Sequence, residues 1–217
     1  MAIKNNHRNK VFNSFLLKNA HFVGKDEFPI IKKEISVPNK LITFSEALNT
    51  KDYNQWVCFY EDDYKFIRLW NNPKKYLIKL KKFNGVISPD FSMYWDMPNI
   101  LQKYNCFIGR SLASWFIENG IKVIPNIRYG DERSKDYFTL GIEPYGNIAI
   151  GTLGCIKNNL KRKMLIEGLQ LAVTLLKPKN IIVYGSAPKT IFQKYKNQNI
   201  NVIVYEDKTS KYFKNIN

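Results

Sequence analysis

Acidic residues stand just past several short apolar runs of this chain, which is where carboxylates project from a sheet edge toward a substrate or a metal. Glu61, Asp62 and Asp63 follow the run Trp56 to Tyr60 (WVCFY), and Asp90 follows Val86 to Ser88 across Pro89. Asp131 and Glu132, with Asn126, Arg128 and Tyr129, close the β-branched run Ile121 to Ile127. Tyr184 ends the run NIIVY. Asp90, Asp131, Arg128 and Tyr184 form the candidate catalytic set. Asp62, Asp63, Asp90 and Asp131 are the candidate ligands for Mg2+ or Mn2+, since hard cations prefer oxygen and stabilise charge developing on a phosphate. Covalent capture of a strand would use a tyrosine, with Tyr184, Tyr129 and Tyr94 on the expected rim. Each acid is equally suited to capping the helix that follows it. The two histidines, His7 and His21, are too far apart for the paired clamp of rolling-circle nickases.

These positions converge only if a particular architecture carries them. The segment 83–131 reads as strand, helix and strand. Its helix is outlined by Met97, Ile100, Leu101, Tyr104, Phe107, Ile108, Leu112, Trp115 and Phe116, started by Asp96 and Pro98 and ended by Gly120. Parallel strands joined through a helix exit on one edge of the sheet. The pattern predicts further strands at Trp56 to Tyr60, Tyr137 to Ile142, Asn147 to Gly151, Asn180 to Tyr184 and Asn201 to Tyr205. Helices are expected at Lys65 to Trp70, Pro73 to Lys82, Asn158 to Leu176 and Pro188 to Tyr195, and residues 28–44 are expected to drape over the sheet before entering it. The fold class is therefore α/β with a largely parallel sheet, its specific form an incomplete or curled βα barrel. Residues 1–27 are expected to be a flexible, partly disordered basic arm, 28–210 a single domain and 211–217 a tail.

The charge balance points to the partner. Thirty-four Lys and Arg against eighteen acids give a formal net charge of +16, which concentrates polyanions around the protein, nucleic acid first among them. The excess of Asn, Ile and Lys also fits AT-rich codon usage. Lys74, Lys75, Lys79, Lys81 and Lys82, interleaved with Tyr76 and Phe83, form the densest basic run. Lys157, Lys161, Arg162 and Lys163 crowd the first turns of a long helix, where cations oppose the helix dipole and so suggest an external anion. Cys58, Cys106 and Cys155 are odd in number and widely spaced, as expected of buried free thiols rather than a disulfide framework or zinc knuckle. No apolar run approaches the roughly 18 residues that span a bilayer, so no membrane role and a cytoplasmic location are expected.

Four ordered blocks, FYEDDYKFIRLWNNPKKYL at 59–77, GVISPDFSMYWDMP at 85–98, NGIKVIPNIRYGDERS at 119–134 and LKPKNIIVYGS at 176–186, resemble the bacterial, archaeal and phage family called domain of unknown function 4417. The resemblance covers about residues 40–195, with Tyr129 standing where members more often carry tryptophan. It implies carriage by plasmids, phages and integrated elements, and with that replication or maintenance work. The resulting expectation is a DNA-binding, replication-associated protein in the host cytoplasm, with metal-dependent nicking as its catalytic form. The alternatives are a non-catalytic binding module, in which Asp90 pairs with Arg110 or Arg128 to hold the fold, and an enzyme acting on a small phosphorylated or sugar substrate.

Overall fold

Alternation within the strands builds this protein, and it does so on both faces of the sheet. The computed structural model describes residues 11–208; residues 1–10 of the expected arm, with His7, and the expected tail lie outside them. A hairpin, β1 (Phe22–Val23) and β2 (Phe28–Pro29), precedes β3 (Leu41–Thr43), α1 (Phe44–Asn49), β4 (Trp56–Cys58), α2 (Asp63–Asn71), α3 (Pro73–Leu80) and β5 (Gly85–Ile87). Then come α4 (Asn99–Glu118), β6 (Val123–Ile124), β7 (Asn147–Gly151), α5 (Asn159–Leu176), β8 (Asn180–Tyr184), α6 (Lys189–Lys196) and β9 (Asn201–Tyr205). Strands β3 to β6 form one parallel ladder and β7 to β9 another. The bridge Asn126↔Ala149 joins the two in parallel, and Ile127 N–H donates to the Ala149 carbonyl at 2.8 Å. Seven parallel strands therefore follow one another in chain order.

The sheet is curled. Ile42, Val57, Val86 and Val123 face α1 to α4, while Ile148, Ile150, Ile181 and Val183 face α5 and α6. The intervening residues Leu41, Trp56, Cys58, Ile87, Ile124, Ala149 and Ile182 pack with Tyr60 and Tyr184 into a third cluster on the inner face. The rings of Tyr60 and Tyr184 stack at 5.3 Å between centroids, although four strand intervals would separate them by about 19 Å on a flat sheet. Tyr205, at the end of β9, donates its hydroxyl to the carbonyl of Pro38, just before β3. No ladder joins β9 to β3 among the described residues, so this is an open, incomplete barrel with a side-chain core. Close approach requires glycine at Gly85, where a Cβ would lie 2.5 Å from the Trp56 ring.

Residues 11–27 are packed where described. Leu16 is fully buried, and the Asn13 side chain donates to the Trp70 carbonyl at 2.6 Å. The segment leading into β3 crosses the amino edge of the sheet: Asn147 N–H donates to the Glu34 carbonyl and its side chain to that of Ser36.

Several expectations are corrected. The sheet starts one strand before Trp56, at β3. Tyr137 to Ile142 is a run of turns, held by bonds such as Tyr137 N–H to Ser134 O and Leu140 N–H to Tyr137 O, and its buried Tyr137 and Phe138 are placed by those turns and not by a ladder. Only Val123 and Ile124 of the expected run 121–127 are strand. Helix α4 starts at Asn99 behind Pro98, without a side-chain cap from Asp96. Its stripe fails at the amino end, where Ile100, Leu101 and Tyr104 are 71, 47 and 48% exposed. The reason is length: 20 residues make a helix of about 30 Å, which overhangs strands of two or three residues. Polar Gln102 and Arg110 are buried instead.

Candidate functional site

The curl brings the carboxyl ends of the strands around one cleft of about 860 Å³. Its floor is a hydrogen-bonded chain. Tyr60 donates to Asn126 Oδ1 at 3.0 Å, Asn126 Nδ2 donates to Asp90 Oδ1 at 2.7 Å, and Arg128 Nη1 donates to Asp90 Oδ2 at 3.2 Å. These residues arrive from three strand exits, Tyr60 from β4, Asp90 from β5, and Asn126 and Arg128 from β6. Pro89 stops β5 and turns Asp90 inward, while Pro125 and the bridge at Asn126 hold the exit of β6 in extended form, with the Asn126 N–H donating to Ser88 Oγ at 2.8 Å. Tyr94 lies against the Arg128 guanidinium, its ring centroid at 5.4 Å, an arrangement that fixes the plane of the fork.

Burial sets the electrostatics. It pushes the Asp90 carboxyl above the usual carboxylate range, an effect only partly offset by Arg128 and Asn126, while the Asp90 charge holds Arg128 protonated. Of the two arginines expected as partners of Asp90, Arg128 makes the pair. Arg110 instead donates to the carbonyls of Leu140 and Phe138.

The candidate metal ligands divide. Asp62 stands at the N-cap position of α2 and pairs with Lys65 at 3.1 Å. Asp63 lines the cleft and accepts from the Ser92 N–H and hydroxyl. Asp131 is outside the cleft lining. It caps a 3-10 turn, accepts from Gln102 at 3.0 Å and pairs with Arg133 at 2.6 Å. The hydrogen bonds from Arg133 pull its carboxyl down to about 2. No group of three or more His, Cys, Asp and Glu able to hold a metal occurs among the described residues, and Asp90 is already neutralised by a guanidinium. The four acids do not compose one shell.

The tyrosines separate as well. Tyr184 lines the cleft, is 2% exposed and stacked on Tyr60, and burial drives its hydroxyl well above the ordinary range. Tyr129 donates to Glu167 at 3.1 Å and is shifted upward by burial. The tyrosine at this family position is backed by Gly168 of α5, where a Cβ would meet the Tyr129 Cβ at 2.3 Å.

The two basic groups lie on opposite edges. The run on α3 descends to the amino edge, where Lys79 Nζ donates to the Thr50 carbonyl at 2.9 Å and Lys79 and Lys82 lie over the Tyr53 ring; Lys74 lies over Phe15 and Lys75 over Tyr76, while Lys81 is exposed. The α5 group opens on the carboxyl edge. Lys161 lines the cleft, Lys157 and Lys163 are exposed, and Arg162 donates to Thr190 at 3.0 Å. No acid occupies the first turn of α5, which is capped by Asn158.

Sequence reasoning placed Asn126 at the exit of β6 but missed its part in the cleft floor, and it missed Tyr60 as part of the site and Lys65, Tyr64 and Trp95 as rim residues. For Tyr60 the signal was its parity with Trp56 and Cys58. Asn126 and Trp95 depended on contacts more than 25 residues away in the chain. Tyr64, Tyr94 and Trp95 are 72, 45 and 48% exposed and line the cleft mouth. No helix of the described residues is long and apolar enough to cross a membrane.

Among curated proteins, the chain is 27% identical over 127 residues to the "Gene 1 protein" of Mycobacterium phage L5, covering 58% of this chain and 56% of that one. It is 26% identical over 127 residues to the "Gene 1 protein" of Mycobacterium phage D29, covering 58% and 47%. The aligned region thus spans about half the length of these phage relatives. No solved structure matches. The family described as Domain of unknown function (DUF4417) matches residues 20–206, which takes in every strand of the barrel and all of the carboxyl-edge cleft lining except Asp207 and Lys208, and the chain belongs to that family.

Proposed function

We propose that this protein binds nucleic acid, DNA in the first instance, by taking a single strand into the carboxyl-edge cleft, and that it serves replication or maintenance of a phage or related mobile element in the host cytoplasm. The observation that carries this reading is that Arg128 and Lys161 line the same cleft as the exposed rings of Tyr64, Tyr94 and Trp95. Cations that follow a backbone and aromatic faces on which bases stack are the two components of single-strand binding. The crowded first turns of α5 supply further positive charge at a dipole end that favours phosphate. Similarity to phage proteins is consistent with the setting.

Binding is better supported than cleavage. Of the expected ligands, Asp62, Asp63 and Asp90 line the cleft through which Mg2+ or Mn2+ would enter, and each is engaged by a protein donor. A nicking reaction would require Asp90 to exchange Arg128 for a metal. A small phosphorylated substrate is the second reading, favoured by the buried Tyr60, Asn126 and Asp90 chain at the cleft floor.

Fluorescence anisotropy with a labelled 15-nucleotide strand, as DNA, RNA or duplex, tests the proposal across a salt series. Contacts from Arg128, Lys157 and Lys161 predict a log–log salt slope of about −2 for a single strand. Affinity unchanged by salt, or equal loss in a variant lacking only the α3 lysines, would refute strand binding in the cleft. Supercoiled plasmid incubated with Mg2+ or Mn2+ tests cleavage in parallel, with intact plasmid expected.

A further inference from the structure

Arg110 is the one arginine of α4, and its position there is costly. It is 4% exposed, and ion pairs among the described residues give it no carboxylate. Two of its five N–H donors are used, Nε to the Leu140 carbonyl at 3.1 Å and Nη2 to the Phe138 carbonyl at 2.5 Å. Carbonyl dipoles solvate a guanidinium without neutralising it, and arginine is seldom fully buried unless paired. The nearby thiol of Cys106 is no counter-ion, because burial raises its pKa and keeps it neutral.

Beside Arg110 is a separate small cavity of about 10 Å³, the space of a single water-sized particle. Arg110, Arg128 and Asn126 supply its polar wall, and Phe91, Phe138 and Gly109 its apolar one. Pro89 and Phe91 reach this cavity while the intervening Asp90 lines the cleft above. The Asp90 carboxylate does not line the cavity and is committed to Arg128 and Asn126. Two guanidiniums and one carboxylate leave one positive charge at the cavity without a partner.

We propose that this cavity is a built-in site for one small monovalent anion of halide size, bound by Arg110 with Arg128 and Asn126 beside it. The ion completes the charge balance beneath the cleft floor. It also ties α4 to the turns at 138–140, which are otherwise held to it through the Arg110 carbonyl bonds. This inference does not depend on what the cleft above binds.

Thermal unfolding of the full chain tests it, in chloride, bromide or isethionate at matched ionic strength; isethionate is too large to enter. Chloride and bromide should raise Tm saturably, by about 3 to 5 °C at tenfold the dissociation constant, with no matching rise in isethionate. The halide-specific part should vanish in Arg110→Met. Should that variant fail to fold, crystals of the unaltered chain grown in bromide decide, with an anomalous peak expected within reach of Arg110. Coincident curves in the three salts, or a cavity holding water and no anomalous peak, would overturn the proposal.

Discussion

The two edges of the sheet solve the problem of polar residues in opposite ways. At the amino edge the residues that open the strands are amides. Asn180 donates to Asn147 at 2.7 Å and Asn201 to Asn180 at 2.9 Å, in the register of β7, β8 and β9. Asn39, Asn54 and Asn84 make a second such group before β3, β4 and β5. An amide both donates and accepts, so aligned copies satisfy one another with no net charge and with little left for a ligand. At the carboxyl edge the residues are charged, arrive from distant segments and are satisfied on one side only, with the cleft on the other. A stable rim and a binding rim differ here in side-chain chemistry, not in backbone geometry.

The largest effect that would test this contrast is expected from Asp90→Ala, which leaves Arg128 without its carboxylate. Loss of about 3 kcal/mol is expected, since removing one partner of a buried pair strands the other, and urea unfolding would read it. Next, Asn180→Ala at the amino edge should cost about 2 kcal/mol by orphaning buried amide groups, with strand affinity in the anisotropy assay unchanged. An equal loss of affinity would show that the amino edge takes part in binding. Lys161→Ala should weaken strand binding roughly tenfold and reduce the salt slope by about one unit, whereas Lys79→Ala and Lys82→Ala should leave both alone.

The smallest effect concerns pH. The folded Asp131 carboxyl is held at about 2, below the ordinary 3.8, so its contribution is present above pH 4 and is lost as pH falls toward 2. Arg133 is 44% exposed, so solvent screening keeps the contribution small. Asp131→Asn should flatten the acid limb of the stability curve slightly. The raised carboxyl of Asp90 acts with opposite sign, its protonated form being favoured as pH falls, so an acid limb that steepens in Asp131→Asn would contradict the assignment.

Legibility followed the range of the interactions. Strands β7, β8 and β9 and helices α5 and α6 were readable because their apolar residues repeat locally, and the strand exits that bear Asp90 and Arg128 were placed on one rim by the connection rule for parallel strands. The run Tyr137 to Ile142 misled because buried aromatic residues in a turn have the composition of a strand. Lysines on α3 looked like a partner to those on α5, yet helices return each chain segment to the opposite edge before the next strand begins.

By itself the sequence determined the α/β class, the parallel sheet, the family blocks and the set of charged residues at strand exits, all of them consequences of periodicity and of neighbours within a few positions. Only the tertiary structure decided which charges meet. Curling of the sheet set Tyr60 on Tyr184, gave Asp90 to Arg128 and not to Arg110, and withdrew Asp131 to a cap. A carboxylate at a strand end has several donors within reach, and the choice among them depends on curvature and burial summed over the whole chain, quantities that no local pattern encodes.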